Sequence, residues 1–301
     1  MRAIRLQAPG GPEQLVLQQI ETPWPSTGEA LVRVHAAAIT RDELEWPVDR
    51  LPATPSYEFS GVVTAVAPDV DDIAVGDSVY ALSGFDRDGA AADYTVVPSS
   101  FLAPKPRTLD HLESAAIPLA ALSAWQALFD HGKLVEGERV LVHGAAGGVG
   151  HFAVQLAKSR GAHVIAPVST ENLTTARELG ADQLIDGAEA RFEDVVDPVD
   201  LVFDTVGGDR LKRSPAVVRP GGRLVSVAEE PPREGEISTA YFVVEPSREQ
   251  LVELARLVDR GDVRPRIDRV FSLSDAREAF ERCMGPAGRG KVVLRVADEE
   301  A

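Results

Sequence analysis

The feature that most constrains this chain is a run of small residues, VHGAAGGVGHF at 142–152. Residues 144–150 contain four glycines and two alanines. An apolar segment precedes them and an amphipathic segment follows directly, which is not typical of a flexible linker. The preceding RVLVHG predicts a strand. The following VGHFAVQLAKSRG predicts a helix, because apolar residues recur at i, i+3, i+4 and i+7 from Val149. The chain therefore has to fold as a strand, a tight glycine turn and a helix at this point.

The spacing within the turn indicates what the bare backbone approaches. Ala145, Gly147 and Gly150 fall at the G-x-G-x-x-G spacing, with alanine in the first place. A small first residue permits the turn, a missing side chain at the second lets a pyrophosphate reach the backbone, and the third lets the helix pack on the strand. The helix N-terminus adds free N–H groups and partial positive charge. We expect a dinucleotide here, with its phosphates on Ala146, Gly147, Gly148 and Val149.

The end of the second strand favours one nucleotide over another. The sequence after HVIAPV is STEN, so Ser169 and Thr170 stand where NAD-binding proteins often place an acid. Hydroxyl groups there can donate to a 2′-phosphate, and Arg177 on the next helix could add positive charge. The pattern favours NADP(H). Glu171 argues for NAD, and Ser169 could instead simply cap the helix.

Composition excludes several classes of function. The net charge of −16 would repel a nucleic-acid backbone. The one cysteine, Cys283, can build neither a disulfide framework nor a cysteine zinc cluster. The N-terminus lacks an apolar signal core, and no apolar run approaches the roughly 18 residues of a membrane span. We expect a soluble, cytoplasmic protein that binds neither nucleic acid nor a membrane.

Periodicity divides the chain into parts. Up to about residue 112, short β-branched segments such as ALVRVHAAAI and SGVVTAVAP predict an irregular, mostly antiparallel β domain. HLESAAIPLAALSAWQALFDHG then predicts helix with a break at Pro118. Strands and helices alternate afterwards, with AYFVVEP as the last strand of a parallel sheet. SREQLVELARLVDRG and VFSLSDAREAFERCMG predict two amphipathic helices before a final strand, KVVLRV.

Several motifs together carry a family resemblance. They are GGPEQLVL, GEALVRVHAAAIT, PSYEFSGVV, LAALSAWQAL, VLVHGAAGGVG, LGADQLID, VFDTVGG, GGRLVSV and GRGKVVLRV. With them the chain resembles the zinc-free, quinone oxidoreductase-like branch of the medium-chain dehydrogenase/reductase superfamily, nearly end to end. The resemblance implies an α/β protein in which a doubly wound Rossmann domain (116–245) is inserted into a GroES-like, mostly antiparallel β domain made of 1–115 and 246–301. It also implies an active site in the cleft and a homodimer paired through Rossmann edge strands, for which AYFVVEP is the candidate.

Departures from the zinc-dependent relatives indicate the chemistry. Those enzymes carry a cysteine ligand where this chain has Thr40 and a histidine ligand where it has Tyr57, and the four-cysteine zinc loop is missing. Two hydroxyl groups cannot supply the N/S/O ligation of zinc, and His35, the nearest imidazole, lies in a strand pattern typical of a structural residue. We expect no metal, and hydride delivery from NADPH to a quinone or an α,β-unsaturated carbonyl acceptor. The segment ITRDELEW also departs from many zinc-free members, which leaves room for a different acceptor.

The resemblance also implies roles for individual residues. Tyr57 and Thr40 would donate hydrogen bonds to the acceptor oxygen as it gains charge, although Tyr57 could equally pack beside the nicotinamide. Ser123 would touch the nicotinamide half of the cofactor. The cofactor channel would be lined by Val206, Ser226, Phe242, Val243 and Val244.

Two other functions remain open from the sequence. One is a pathway-dedicated enoyl reductase with a single narrow substrate, which the ITRDELEW departure permits. The other is a cofactor-binding protein with little turnover and a structural or regulatory role.

Overall fold

A computed structural model describes residues 1–47, 49–285 and 289–297. The strands, in chain order, are β1 Arg2–Leu6, β2 Leu15–Gln19, β3 Glu29–Ile39, β4 Glu58–Val66, β5 Ser78–Leu82, β6 Tyr94–Pro98, β7 Ala103–Pro104, β8 Arg139–His143, β9 His163–Val168, β10 Gln183–Asp186, β11 Val199–Asp204, β12 Val218–Ser226, β13 Ser238–Tyr241, β14 Ile267–Ser272 and β15 Lys291–Arg295. The α-helices are α1 His111–Ala115, α2 Pro118–Trp125, α3 Gly150–Ser159, α4 Leu173–Glu178, α5 Phe192–Val195, α6 Gly208–Arg213, α7 Arg248–Asp259 and α8 Ala276–Met284.

The chain forms two compact units. Unit 1 consists of Met1–Leu119, Glu245–Arg260 and Pro265–Ala301, and unit 2 consists of Ala120–Val244 and Gly261–Arg264. Both ends of the chain thus contribute to unit 1, while the middle of the chain forms unit 2. The short segment before residue 265 belongs to unit 2 although it lies within the C-terminal part of the sequence.

Unit 1 is built on an antiparallel sheet with the order β14-β15-β3-β4-β5-β7, in which β6 also pairs with β3. Only β14 and β15 run parallel among the strand pairs described for this sheet. Its core brings together side chains from distant parts of the chain, including Ile4, Phe59, Leu102 and Phe280. The expected GroES-like, mostly antiparallel domain is confirmed.

The central strand β3 is buried along almost its whole length rather than on alternate residues. Three consecutive alanines, Ala36, Ala37 and Ala38, are fully buried. Ala36 and Ala38 pack against the end of α1. On the same strand the ring of His35 stacks on that of His111, with centroids 4.5 Å apart.

Unit 2 is a parallel sheet with the order β10-β9-β8-β11-β12-β13. Numbered within the unit, this order is 3-2-1-4-5-6, which is the Rossmann arrangement. The strand order reverses between β8 and β11, and ligands of such sheets bind beyond the carboxyl ends of the strands at that reversal. The glycine turn directly follows β8, so the expected Rossmann domain is confirmed with the turn at the reversal.

Two boundaries differ from the sequence expectation, and the break at Pro118 agrees with it. The last strand of unit 2 is Ser238–Tyr241, so only the first two residues of AYFVVEP (240–246) belong to it. The segment VFSLSDAREAFERCMG forms an α-helix only from Ala276, after a short 3-10 helix at Leu273–Asp275, because Val270 and Phe271 pair with β15 as part of β14. The expected break at Pro118 is present, since this proline begins α2. Gly288 of the GRGKVVLRV motif lies outside the described residues.

Across the described ranges, the helices are all too short or too polar to cross a lipid bilayer.

A buried imidazole stands directly before the glycine turn. His143 ends β8 and is fully buried, with its ring edge-on to that of Phe192. Ser214 donates its hydroxyl proton to the carbonyl of Arg210 at 2.8 Å, so its oxygen accepts from Nε2 of His143 at 3.0 Å. The other ring nitrogen, Nδ1, is buried with no hydrogen-bond partner in the described chain. Burial, followed by the nearby Arg210 and Arg213 charges, lowers the pKa of His143 to about 3.

This histidine makes the stability of the protein sensitive to acid. In the unfolded chain the imidazole takes up a proton near its ordinary pKa of 6.5, whereas in the folded chain it stays neutral until about 3. We expect the free energy of unfolding to fall between these pH values by up to about 1.4 kcal/mol per pH unit. Urea unfolding at several pH values measures this slope. His143→Gln keeps an N–H donor for Ser214 and should flatten it, while an unchanged slope would contradict the assignment.

Candidate functional site

The glycine turn has no room for side chains at two of its positions. Gly144 has a φ of +75°, and a Cβ there would lie 2.3 Å from Oγ1 of Thr205. A Cβ on Gly150 would lie 2.0 Å from the Gly144 carbonyl oxygen. Gly147 differs, because a Cβ there would meet only that carbonyl oxygen, at 3.2 Å. The missing side chain of Gly147 therefore matters less for the fold than those of Gly144 and Gly150, and it leaves space beside the backbone.

Free amides surround this space. The Gly147 amide donates to the Gly144 carbonyl at 2.8 Å, which closes the turn. In the described part of the chain, the amides of Gly148 and Val149 donate to no backbone carbonyl. The ring of His151 donates from Nδ1 to the Gly147 carbonyl at 2.9 Å and holds the turn from the helix side. The geometry suits the two phosphates of a dinucleotide, as the sequence predicts.

The end of β9 carries hydroxyl and carboxylate groups side by side. Ser169 Oγ donates to the carboxylate of Glu171 at 3.4 Å and accepts from the side-chain amide of Asn172 at 3.0 Å. Thr170 donates to Asp186, at the end of β10, at 2.9 Å. Arg177 is exposed on α4. Both the hydroxyl group that favours NADP and the carboxylate that favours NAD are thus present at this position.

The other residues expected to touch the nucleotide lie in unit 2 in different environments. Ser123 is buried in α2, and Val206 is half exposed after β11. Phe242 stacks on the ring of His131 with centroids 4.3 Å apart, Val243 is exposed and Val244 is buried. Their contact with a nucleotide stays a prediction.

Ser226 is fully occupied by contacts within the unit. It is buried, donates to the carboxylate of Asp204 at 3.0 Å and accepts from the amides of Ala228 and Glu229. The same carboxylate accepts from the Gly207 amide at 2.9 Å. The hydroxyl therefore shapes the turns that follow β11 and β12.

Thr40 and Tyr57 stand at neighbouring strand ends in unit 1. Thr40 follows β3 and Tyr57 precedes β4, and the two strands pair antiparallel with Ala38 opposite Glu58. The buried side chain of Glu43 joins these ends, because its two carboxyl oxygens accept from the amides of Thr40 and Ser56, each at 3.1 Å. Burial raises the pKa of Glu43 to about 8. Glu43 therefore holds the two strand ends together through these hydrogen bonds and does not present an exposed charge.

The backbone just before Tyr57 is strained. Ser56 has a φ of +66°, a backbone conformation that residues other than glycine rarely adopt. The Ser56 carbonyl accepts from the Ala90 amide at 2.5 Å, and its amide is held by Glu43. Strain of this kind occurs where the surrounding structure fixes a functional residue.

The hydroxyl of Tyr57 faces a guanidinium group. Arg50 donates from Nη2 to Tyr57 Oη at 3.0 Å and to the Phe85 carbonyl at 2.7 Å. The ring of Tyr57 is fully buried and lies 5.5 Å from the rings of both Trp46 and Phe85. Burial raises the pKa of Tyr57 to about 12, while the Arg50 charge acts in the opposite direction.

An ion pair is buried behind Thr40. Lys291 begins β15, and its Nζ lies 2.5 Å from the Glu58 carboxylate, 2.9 Å from the Ile39 carbonyl and 3.3 Å from Thr40 Oγ1. Glu58 is fully buried and its second oxygen accepts from the Leu119 amide. Burial alone would lower the pKa of Lys291, but the Glu58 charge and hydrogen bond raise it, so the lysine stays protonated.

The sequence reasoning missed Arg50, Glu58 and Lys291. A signal was present for two of them, because Glu58 in PSYEFSGVV and Lys291 in KVVLRV are single charges at the start of apolar strands. A charge in such a place needs a partner when it is buried. Nothing in the sequence indicates Arg50.

No metal cluster is evident. Within residues 1–47, 49–285 and 289–297, no three His, Cys, Asp or Glu side chains are grouped so as to hold a metal ion. The Lys291 ammonium lies 3.3 Å from Thr40 Oγ1 and would repel a metal cation there.

The comparisons with known proteins agree with one another. A family model described as an alcohol dehydrogenase GroES-like domain matches residues 26–107, and one described as a zinc-binding dehydrogenase matches residues 179–294. The chain is 33% identical over 309 residues to a probable zinc-binding mitochondrial oxidoreductase of Arthroderma benhamiae, covering 94% of this chain and 93% of the relative. It is 33% identical over 311 residues to the chloroplastic NADPH-dependent alkenal/one oxidoreductase of Arabidopsis thaliana, covering 95% and 77%.

Solved structures extend the match to the whole fold. The quinone oxidoreductase from Coxiella burnetii superposes with a TM-score of 0.90 at 32% identity, covering 99% of both chains. The chain belongs to the medium-chain dehydrogenase/reductase superfamily, in its quinone oxidoreductase-like branch. This member of the superfamily is an oxidoreductase, and its cofactor is a nicotinamide nucleotide.

Two glycine substitutions separate nucleotide binding from folding. Gly147→Ala places a methyl group where the pyrophosphate approaches but meets only one atom of the protein, so we expect the Kd for NADPH to rise about ten-fold or more with normal stability. Gly150→Ala overlaps the Gly144 carbonyl and should lower the free energy of unfolding by about 3 kcal/mol. Calorimetric titration and urea unfolding measure the two effects. Equal effects of the two substitutions would contradict these roles.

Proposed function

We propose that the protein is a zinc-independent reductase that uses NADPH to reduce a quinone or an α,β-unsaturated carbonyl compound. The observation that carries the proposal is the Lys291 ammonium 3.3 Å from Thr40 Oγ1. A cation already stands behind one of the two positions that zinc-dependent relatives use for metal ligands, and a phenol stands at the other. Without a Lewis acid, the acceptor has to be electrophilic by itself, which conjugated carbonyl compounds are.

The functions for which related proteins are named support this choice. They include an NADPH-dependent alkenal/one oxidoreductase of Arabidopsis thaliana, a 2-methylene-furan-3-one reductase of Solanum lycopersicum and a quinone oxidoreductase of Coxiella burnetii. Alkenals, enones and quinones share a carbonyl group conjugated to a carbon that accepts hydride. The proposal assigns this class of acceptor to the present chain.

Each unit contributes a separate part of the chemistry. The free amides of Gly148 and Val149 hold the phosphates of the nucleotide, whose reduced nicotinamide supplies the hydride when bound. In unit 1, Tyr57 and Thr40 donate hydrogen bonds to the acceptor oxygen and stabilise the negative charge that develops on it. Trp46 and Phe85, which surround Tyr57, offer flat apolar surface for a conjugated ring.

An acceptor panel tests the proposal. NADPH oxidation is followed with several quinones, alkenals and enones, and with saturated aldehydes as controls. We expect turnover of several conjugated acceptors and none of the saturated ones. Turnover of a single acceptor would favour a dedicated enoyl reductase, and nucleotide binding without any turnover would favour a binding protein.

The preference for NADP over NAD can be shifted in both directions. Ser169→Asp adds a charge that repels the 2′-phosphate, and we expect weaker NADPH binding by about 2 kcal/mol. Glu171→Gln removes a carboxylate that lies 3.4 Å from Ser169 Oγ, and it should tighten NADPH binding about three-fold or more and weaken NADH binding. Calorimetry with both nucleotides measures these changes. Equal affinity of the unaltered protein for NADPH and NADH would end the NADP assignment.

Tyr57 is tested by removal of its hydroxyl group. Tyr57→Phe keeps the buried ring among Trp46 and Phe85, so we expect kcat to fall about ten-fold or more with little change in nucleotide affinity. Steady-state kinetics and nucleotide titration give the two values. An unchanged kcat would show that the Tyr57 hydroxyl group has no part in the reaction and that the ring only packs against its neighbours.

We further propose a cytoplasmic homodimer. β13 is an edge strand of the unit 2 sheet as described, and Tyr241 and Val243 at its end are exposed. Pairing of this edge with that of a second copy would cover both side chains.

A further inference from the structure

Two hydroxyl groups of unit 1 share an unusual arrangement, because each one faces a cation. Thr40 Oγ1 lies 3.3 Å from Nζ of Lys291, whose other contacts are the Glu58 carboxylate and the Ile39 carbonyl. An ammonium group can only donate hydrogen bonds. Thr40 therefore accepts from Lys291 and keeps its own proton for another oxygen.

Tyr57 has the same arrangement with a different cation. Arg50 donates to Tyr57 Oη at 3.0 Å, and a guanidinium group has no acceptor to offer in return. In the part of the chain that the structure describes, Tyr57 Oη has Arg50 as its hydrogen-bond partner and its proton is given to no acceptor. The phenol, like Thr40, is left as a donor.

Arg50 donates to uncharged groups in the part of the chain that the structure describes. Its hydrogen bonds go to the Tyr57 hydroxyl and the Phe85 carbonyl, and it forms no ion pair with a carboxylate among the described residues. The protein has 47 acidic residues and 31 lysines and arginines, so carboxylate partners for an arginine are abundant. The lack of an ion pair at Arg50, beside a buried phenol, is therefore a feature of this site and not a consequence of the overall charge. It leaves a positive charge at the site.

We propose that Arg50 and Lys291 are positioning residues that direct the protons of the Tyr57 and Thr40 hydroxyl groups toward the acceptor oxygen and place positive charge behind both groups, so that the site favours an acceptor oxygen without a hydrogen atom. Such oxygens are those of conjugated carbonyl compounds, enolates and phenolates. An alcohol or an undissociated phenol could donate its proton only to the remaining lone pair of a hydroxyl oxygen that already accepts from a cation, which is a poorer acceptor. The inference rests on the proposed function and narrows it to the carbonyl form of the acceptor and the anionic form of its product.

The hydride transfer balances within this arrangement. When hydride reaches the conjugated carbon of the acceptor, a C–H bond forms and the displaced electron pair makes the carbonyl oxygen negative. Tyr57 and Thr40 keep their protons and donate hydrogen bonds to this anion, which takes a proton from water after release. Burial raises the pKa of Tyr57 to about 12 although the Arg50 charge acts in the opposite direction, so the phenol keeps its proton and serves as a hydrogen-bond donor.

A phenol of intermediate acidity tests the inference without nucleotide or turnover. The full-length protein is titrated with 4-nitrophenol, whose phenolate absorbs visible light and resembles a reduced quinone anion. We expect the bound phenol to ionise at least ten times more readily than the free phenol, which is one pH unit in its titration curve. Tyr57→Phe and Thr40→Val should each reduce this preference and so locate the ligand.

The decisive variants remove the cations. Arg50 is half-buried on a loop, so Arg50→Met should fold and lose at least ten-fold of the preference for the anion, and Arg50→Lys should restore part of it. Lys291→Met alone would leave Glu58 as an unpaired buried charge, so it is combined with Glu58→Gln, which keeps an acceptor for the Leu119 amide. Arg41→Gln is the matched control, because Arg41 adjoins Thr40 but donates to the Met284 carbonyl at 2.5 Å and should have no effect.

The outcomes separate this inference from the proposed function. Binding of 4-nitrophenol in its neutral form, no binding at millimolar concentration, or an unchanged preference in Arg50→Met and in the Lys291→Met/Glu58→Gln protein would overturn the inference, even if the enzyme reduces enones. An anion preference that depends on both cations supports it. If that preference is present but no conjugated acceptor is reduced, the proposed function fails instead.

Discussion

The buried ion pair between Glu58 and Lys291 is the interaction on which unit 1 depends. It joins β4, from the N-terminal part of the chain, to β15, near the C-terminal end. Removal of one partner of a buried pair leaves an uncompensated charge and typically destabilises a protein by about 3–5 kcal/mol. Because Lys291 also contacts Ile39 and Thr40 at the end of β3, the same pair fixes the strand end from which the acceptor site is built.

This pair also restricts the chemistry that the site can perform. An ammonium group held 3.3 Å from Thr40 Oγ1 supplies positive charge through a hydrogen bond, where a metal would supply it through direct coordination. A hydrogen-bond donor stabilises charge that develops on an oxygen, but it polarises an unreactive carbonyl group far less than a metal ion does. The proposed acceptors are accordingly compounds in which conjugation already makes one carbon electrophilic.

The sequence predicts well those features that depend on neighbouring residues. The glycine turn, its strand and its helix are encoded within 139–159, and the repeated alternation of strands and helices is enough to predict the Rossmann unit. The pairs Lys291–Thr40 and Glu58–Lys291 join residues more than two hundred positions apart, and no local pattern encodes them. The strand at Val270 was predicted as helix for a related reason, because its partner β15 lies beyond the helix that follows it.

In the proposed mechanism unit 2 recognises the nucleotide by backbone amides and unit 1 recognises the acceptor by side-chain hydroxyl groups, and this difference determines how each site can vary. In unit 2 the nucleotide is expected to lie on backbone amides, so a substitution matters mainly where a new Cβ would fill the space, as at Gly147. In unit 1 the acceptor oxygen is expected to meet side-chain hydroxyl groups whose direction is set by Arg50 and Lys291. Backbone recognition tolerates changes in most side chains, whereas a donor pair fixed by two cations responds to a change in any one of its four members. We infer that acceptor specificity can diverge within this fold while nucleotide binding is retained.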